Sequence, residues 1–222
     1  MRRTDFAIAT LEEIPEPRRK GTASHGSLTE RLGCSETHVD VYRLDDGAIS
    51  LSNEREKLCI PFDDGGILTV EDSTAISRTE LAFVPAGRDL TLGSEGVTTW
   101  VVVSAPGSKL PDRDSVLVDT TTRSFSPPET SDVLTARLTG QLGCTGMKVN
   151  LRRLEPGQAV PYHVEGRQQE LFVPLDGHGA MRIGGDTYNA PRGSITRVAP
   201  DTPRSAVNEG EDDLVWAMIG AP

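Results

Sequence analysis

The sequence predicts an all-β protein made of two tandem β-barrels. Three observations predict it. Short runs rich in Val, Ile, Leu and aromatics recur along the chain. Gly, Pro, Asp and Asn separate them at roughly the 8–12-residue spacing of a sandwich or small barrel. No segment sustains a period of 3.6, as an amphipathic helix would. Lastly, the second half of the chain repeats the first.

In order, the first half offers FAIAT (6–10), HVDVYRL (38–44), CIPF (59–62), ILTV (67–70), LAFV (81–84) and TTWVVVSA (98–105). The second offers SVLVD (115–119), MKVNLRRL (147–154), ELFVPL (170–175) and LVWAMIG (214–220). Each run is short and dense in β-branched or aromatic residues, which suit a pleated surface.

The repeat is explicit. LTERLGCSETHVDVYRLDDG (28–47) aligns with LTGQLGCTGMKVNLRRLEPG (138–157). Leu28, Thr29, Leu32, Gly33, Cys34, Val39, Arg43, Leu44 and Gly47 meet identical residues. With small shifts the match continues through LCIPFD (58–63) and LFVPLD (171–176), and through Trp100 and Trp216. Self-similarity at such a period marks a duplicated unit. It divides the chain into a first domain at 1–106, a linker at 107–114 and a second domain at 115–222. The joint, PGSKLPDRD (106–114), holds two prolines, a glycine and charges, as a linker should.

With 33 acidic and 23 basic residues the net charge is −10. That argues against nucleic acid, whose recognition is driven by a basic surface, and against an anionic membrane. No run of about 18 apolar residues exists to form a transmembrane helix. The basic residues are 19 Arg and only 4 Lys. Acid-rich, Lys-poor composition resembles that of salt-accumulating halophiles, where salt screens the self-repulsion of an acidic surface. An ordinary acidic cytosolic protein is the alternative. Three cysteines, Cys34, Cys59 and Cys144, are too few for a disulfide framework. Met1-Arg2-Arg3 has no apolar stretch behind it, so a cytoplasmic location is expected.

One constellation carries chemistry. Gly157, five residues, His163, one residue, Glu165, four residues, Glu170, six residues and Gly177 follow in order. Gly193, Ala199, Asp201, Arg204 and Asn208 come next. The first series resembles the first motif of the cupin superfamily, G-x5-H-x-H-x4-E-x6-G, with Glu165 at the second His. The second is similar to G-x5-P-x-G-x2-H-x3-N, with Arg204 at the His. In the first half the same frame places Asn53, Arg55, Lys57 and Leu90 at the ligand positions and Ser94 at the closing Asn, so no metal ligand survives there. The resemblance implies a bicupin, two jelly-roll barrels, similar to haloarchaeal cupin-domain proteins.

It also implies that His163, Glu165, Glu170 and Arg204 converge in the second barrel. Residues two apart on a strand share a face, so His163 and Glu165 should point together. His163, Glu165 and Glu170 are an acceptable donor set for Mn, Fe, Ni or Zn. Arg204 has no lone pair to give a metal, but could grip a carboxylate in its place. Two arrangements are open: Arg204 pairing with Glu165 or Glu170 where relatives hold a metal, or a carboxylate-rich metal site with Arg204 swung outward. Arg152–Arg153 and Arg192–Arg197 could hold an anion, with ion pairs to nearby acids as the plainer expectation. Gln168 and Gln169 are expected to be solvated.

The functional expectation is a barrel that binds a small polar or anionic molecule without chemistry. The alternative is a metal-dependent enzyme of dioxygenase or sugar isomerase type. Pairing through sheet edges or barrel faces would give a homodimer, though two barrels in one chain can satisfy that pairing internally.

Overall fold

The structure is a computed structural model that describes residues 5–14, 18–20, 22–110, 112–129 and 131–221. Every run named above contributes a strand, and all the strand ladders are antiparallel. In the first half a seven-stranded sheet has the spatial order Val116–Asp119, Glu80–Val84, Glu56–Pro61, Val97–Ala105, His38–Asp45, Ala23–Ser27 and Arg18–Lys20. A four-stranded sheet completes that barrel: Ala48–Leu51, Leu90–Gly93, Gly65–Thr69 and Ser73–Ser77. In the second half the large sheet runs Phe6–Thr10, Ser194–Val198, Gln169–Pro174, Leu214–Ala221, Lys148–Leu154 and Leu134–Arg137. The small sheet runs Asp186–Pro191, His178–Ile183 and Arg204–Asn208.

The opening strand of each half pairs with the other half. Phe6–Thr10 lies along Ser194–Val198, with Phe6 opposite Val198 and Thr10 opposite Ser194. Val116–Asp119 lies along Glu80–Val84, with Val116 opposite Phe83. The exchange extends each large sheet by one strand.

Three apolar clusters follow from strict strand alternation. On Val97–Ala105, Trp100 and Val102 point into the first barrel, while Val101, Val103 and Ala105 point the other way. On Leu214–Ala221, Trp216 and Met218 fill the second barrel, while Ala217 and Ile219 point out of it. The outward residues of the two large sheets meet in one shared core, joined by Leu58, Ile60, Leu171 and Val173. Both faces of these strands are therefore dry. That explains why TTWVVVSA and LVWAMIG are nearly continuous apolar runs instead of alternating ones.

The repeated signatures have physical causes. The repeated L-x3-L-G closes a single helical turn, Thr29–Leu32 or Thr139–Leu142, in each half. Gly33 and Gly143 end these turns at φ 67° and 64°, a left-handed conformation that suits glycine. Leu32 and Leu142 are buried in the shared core, with Cys34 and Cys144 packed against it as free thiols. Trp100 and Trp216 also have matched partners. The indole of Trp100 lies against Gly66 and that of Trp216 against Gly179, each so closely that a Cβ at the glycine would collide with the ring.

Candidate functional site

The site lies on the second barrel's inner wall. Glu170 comes from Gln169–Pro174, where alternation turns Glu170 and Phe172 inward and Leu171 and Val173 toward the shared core. Opposite Glu170 in the sheet stands Gly220, which leaves its place on the wall open for the side chain of Gln168. His163 sits in an extended loop that docks on the start of Arg204–Asn208. The His163 N–H donates to the Arg204 carbonyl at 3.1 Å, and the Arg204 N–H returns the bond at 2.9 Å. Asp201 N–H donates to the Glu165 carbonyl at 2.8 Å. Asp201 takes the glycine position of the second motif and has φ 60°, which a short polar side chain tolerates. Along the loop Tyr162 and Val164 are exposed, so His163 and Glu165 share the other face. The Tyr162 hydroxyl accepts from Gly185 N–H at 3.1 Å, away from the site.

The structure brings His163, Glu165 and Glu170 together, with one ligand atom from each lying within 4.8 Å of the others. Among the described residues no other group of three His, Cys, Asp or Glu side chains is so arranged. Arg204 does not swing outward. Its side chain is 0% exposed, its Nε lies 3.0 Å from Glu170 Oε2, and its Nη1 donates to the Thr202 carbonyl at 2.8 Å. Glu165 forms no ion pair with it among the described residues. The Arg204–Glu170 contact is charge against charge and not an aligned hydrogen bond: Arg204 Nε, Arg204 Nη2 and Glu170 Oε2 are all buried without a hydrogen-bond partner.

His163 Nδ1 lies 2.8 Å from the Pro161 carbonyl oxygen. A carbonyl only accepts, so Nδ1 carries the proton. The other nitrogen, Nε2, faces Glu170 Oε2 at 3.5 Å. In the neutral ring that nitrogen holds a lone pair aimed at a carboxylate, which is stable only with a proton or a cation between them. Glu170 accordingly raises the His163 pKa above its ordinary value; the Pro161 contact adds to this, while burial and the Arg204 charge oppose it.

The donor chemistry fits a divalent cation. It offers a lone pair fixed by a backbone hydrogen bond, as in many metal-bound histidines, and two carboxylates, one with a buried, unpartnered oxygen. Arg204 competes for that same oxygen.

A cavity of about 350 Å³ opens onto these groups. His163, Glu165 and Glu170 line it together with Arg137, Lys148 and Arg152. Arg204 stands behind Glu170. Phe172 and Met181 lie in the barrel's apolar cluster and leave the cavity open.

The sequence did not point to Arg137 and Lys148, and it left Arg152 either holding an anion or, more plainly, paired with an acid. Among the described residues none of the three forms an ion pair. Gln169 is likewise not solvated. It is buried, and its side-chain oxygen accepts from Arg197 Nε at 3.1 Å, because the outer face of its strand is covered by the other half.

In the first half the corresponding positions are closed by other means. Lys57, at the Glu170 position, is buried and donates to the Arg55 carbonyl at 2.7 Å. Leu90, at the Arg204 position, is buried in the apolar core.

Residues 150–220 match the cupin domain family. The matched stretch includes His163, Glu165, Glu170 and Arg204. A Pseudomonas aeruginosa protein described as glyoxylate-induced has the same fold, with a TM-score of 0.78 at 15% identity, covering 100% of this chain and 90% of that one. Bacillus subtilis oxalate decarboxylase, whose structures include work on its Mn(II) centres, superposes with a TM-score of 0.69 at 15% identity over 96% of this chain and 76% of its own. AerE from Microcystis aeruginosa gives 0.69 at 11% identity over 99% of both chains. No curated protein matches the sequence. Among the described residues no helix is long and apolar enough to cross a membrane.

Proposed function

We propose that the second barrel is a receptor for a small polar or anionic molecule, bound in the cavity in front of His163, Glu165 and Glu170. The observation that carries this reading is the cavity itself, about 350 Å³ and walled by charged groups of both signs. Sites of this size with a few convergent polar groups are typical of small-molecule binding. Arg204 serves here as a built-in counter-ion. It holds Glu170 in place from behind, where no ligand needs to reach it. A melting-temperature screen against polar small molecules tests the reading. A ligand should raise the melting temperature with concentration, and His163→Ala should abolish the shift. A screen in which every stabiliser acts equally on His163→Ala would remove the second barrel as the site.

A second reading is favoured by one specific observation, the unpartnered Glu170 Oε2 facing the His163 lone pair. We infer from it that the barrel can act as a metal-dependent enzyme of dioxygenase or sugar isomerase type. His163, Glu165 and Glu170 would hold Mn, Fe, Ni or Zn, which when bound would polarise a ligand oxygen as a Lewis acid. The chain's own residues would fix the donors: Pro161 orients His163, and Arg204 orients Glu170. Elemental analysis of protein purified without an affinity tag separates the readings. Stoichiometric metal lost in His163→Ala supports the enzyme.

A further inference from the structure

The second barrel's cavity has a cationic wall that the His163–Glu165–Glu170 group does not explain. Arg152 comes from Lys148–Leu154, opposite Thr135 on one side and Trp216 on the other. It is half-buried, and among the described residues its only polar contact is from Nη1 to the Thr135 hydroxyl. Its Nε is buried without a partner. Arg137 and Lys148, on the same cavity wall, are exposed at the mouth. Burial and the neighbouring Arg137 charge both work against the Arg152 guanidinium, and Glu170 offsets them only in part. A protein with ten surplus negative charges thus keeps three cations around one cavity, and among the described residues no carboxylate forms an ion pair with any of them.

Across the cavity, Glu165 and Glu170 present acceptors. A ligand satisfying both walls needs an anionic end for Arg152 and a hydroxyl-bearing end for the carboxylates. Resting on the reading of this barrel as a binding site, we propose that its ligand is a hydroxy acid: a carboxylate held by Arg152 beneath Arg137 and Lys148, with hydroxyl groups directed at Glu165 and Glu170. The planar guanidinium fork matches a carboxylate in a way a lysine cannot. The two rim cations would draw the anion in.

Calorimetric titration of the full chain with gluconate, with sorbitol as its uncharged counterpart and with inorganic phosphate tests this. Gluconate should bind at least about tenfold more tightly than sorbitol, the worth of a charge-assisted pair. Arg152→Gln should erase that difference and leave sorbitol unchanged. Arg137→Gln with Lys148→Gln, both at exposed positions, should weaken gluconate several-fold and flatten its salt dependence while the fold is intact. The proposal is overturned if gluconate binds no better than sorbitol, if Arg152→Gln binds gluconate like the parent, or if phosphate binds as tightly as gluconate. Equal binding of sorbitol and gluconate, both weakened by His163→Ala, would leave the barrel a binding site and remove only the carboxylate. No binding of either would remove both.

Discussion

Arg204 Nε lies 3.0 Å from Glu170 Oε2, behind the cavity wall and out of solvent. Removing one member of such a pair strands the other charge. Arg204→Ala should cost about 3–5 kcal/mol in denaturant unfolding. Arg204→Met combined with Glu170→Gln should cost less than the single change, because no buried charge is left alone. Arg204→His bears on the metal question directly: it replaces a competing cation with a donor. Bound divalent metal should rise in that variant, as read by elemental analysis.

His163 should make stability depend on pH. Its folded pKa is raised, chiefly by Glu170. A raised pKa means that the protonated ring stabilises the folded state. That contribution is fully present below the unfolded value of about 6.5 and is lost as pH rises through the folded value. The stability gap between the parent and His163→Gln should shrink across that window. A gap that is flat from about pH 5 to 9 would contradict the Glu170 contact.

Gly179 tests the packing of the barrel interior. A methyl group there would collide with the Trp216 ring and the Leu214 side chain. Gly179→Ala should lower stability by about 1–3 kcal/mol, as overpacking does. Gly66→Ala, against Trp100, should behave alike in the other barrel.

Glu56 tests the contact between the halves. It is buried in the first half and accepts from Thr145 N–H at 2.9 Å, the Thr145 hydroxyl at 3.0 Å and Gly146 N–H at 2.9 Å in the second. Glu56→Ala leaves these donors unmet and should cost roughly 3 kcal/mol. Glu56→Gln, which keeps the acceptor oxygen but not the charge, should cost less.

The sequence was most informative where chemistry follows local spacing. His163 and Glu165, two residues apart, and Glu170 on the following strand could be paired on paper because strand alternation is a local rule. The repeat likewise exposed Gly33 with Gly143 and Trp100 with Trp216, whose causes are a left-handed turn and a ring packed on a glycine. The basic wall was legible only in part, through Arg152 as a residue that could hold an anion. Lys148 and Arg152 lie four apart on one strand and share a face by alternation, but Arg137 joins them only through its register opposite Asn150, which no single stretch encodes. Gln169 reads as part of the turn before Glu170, but it opens the strand itself, on the face that meets the other half. The destination of Phe6–Thr10 was equally hidden, since FAIAT looks the same whichever edge it joins.

That strand also sets an order of events. During synthesis Phe6–Thr10 is made well before the edge it completes, Ser194–Val198. Until Ser194–Val198 emerges, this strand has no pairing partner and must stay clear of competing edges. Closing so distant a pair is slow relative to local hairpins. Deleting residues 6–10 should therefore injure the distant barrel that holds the cavity.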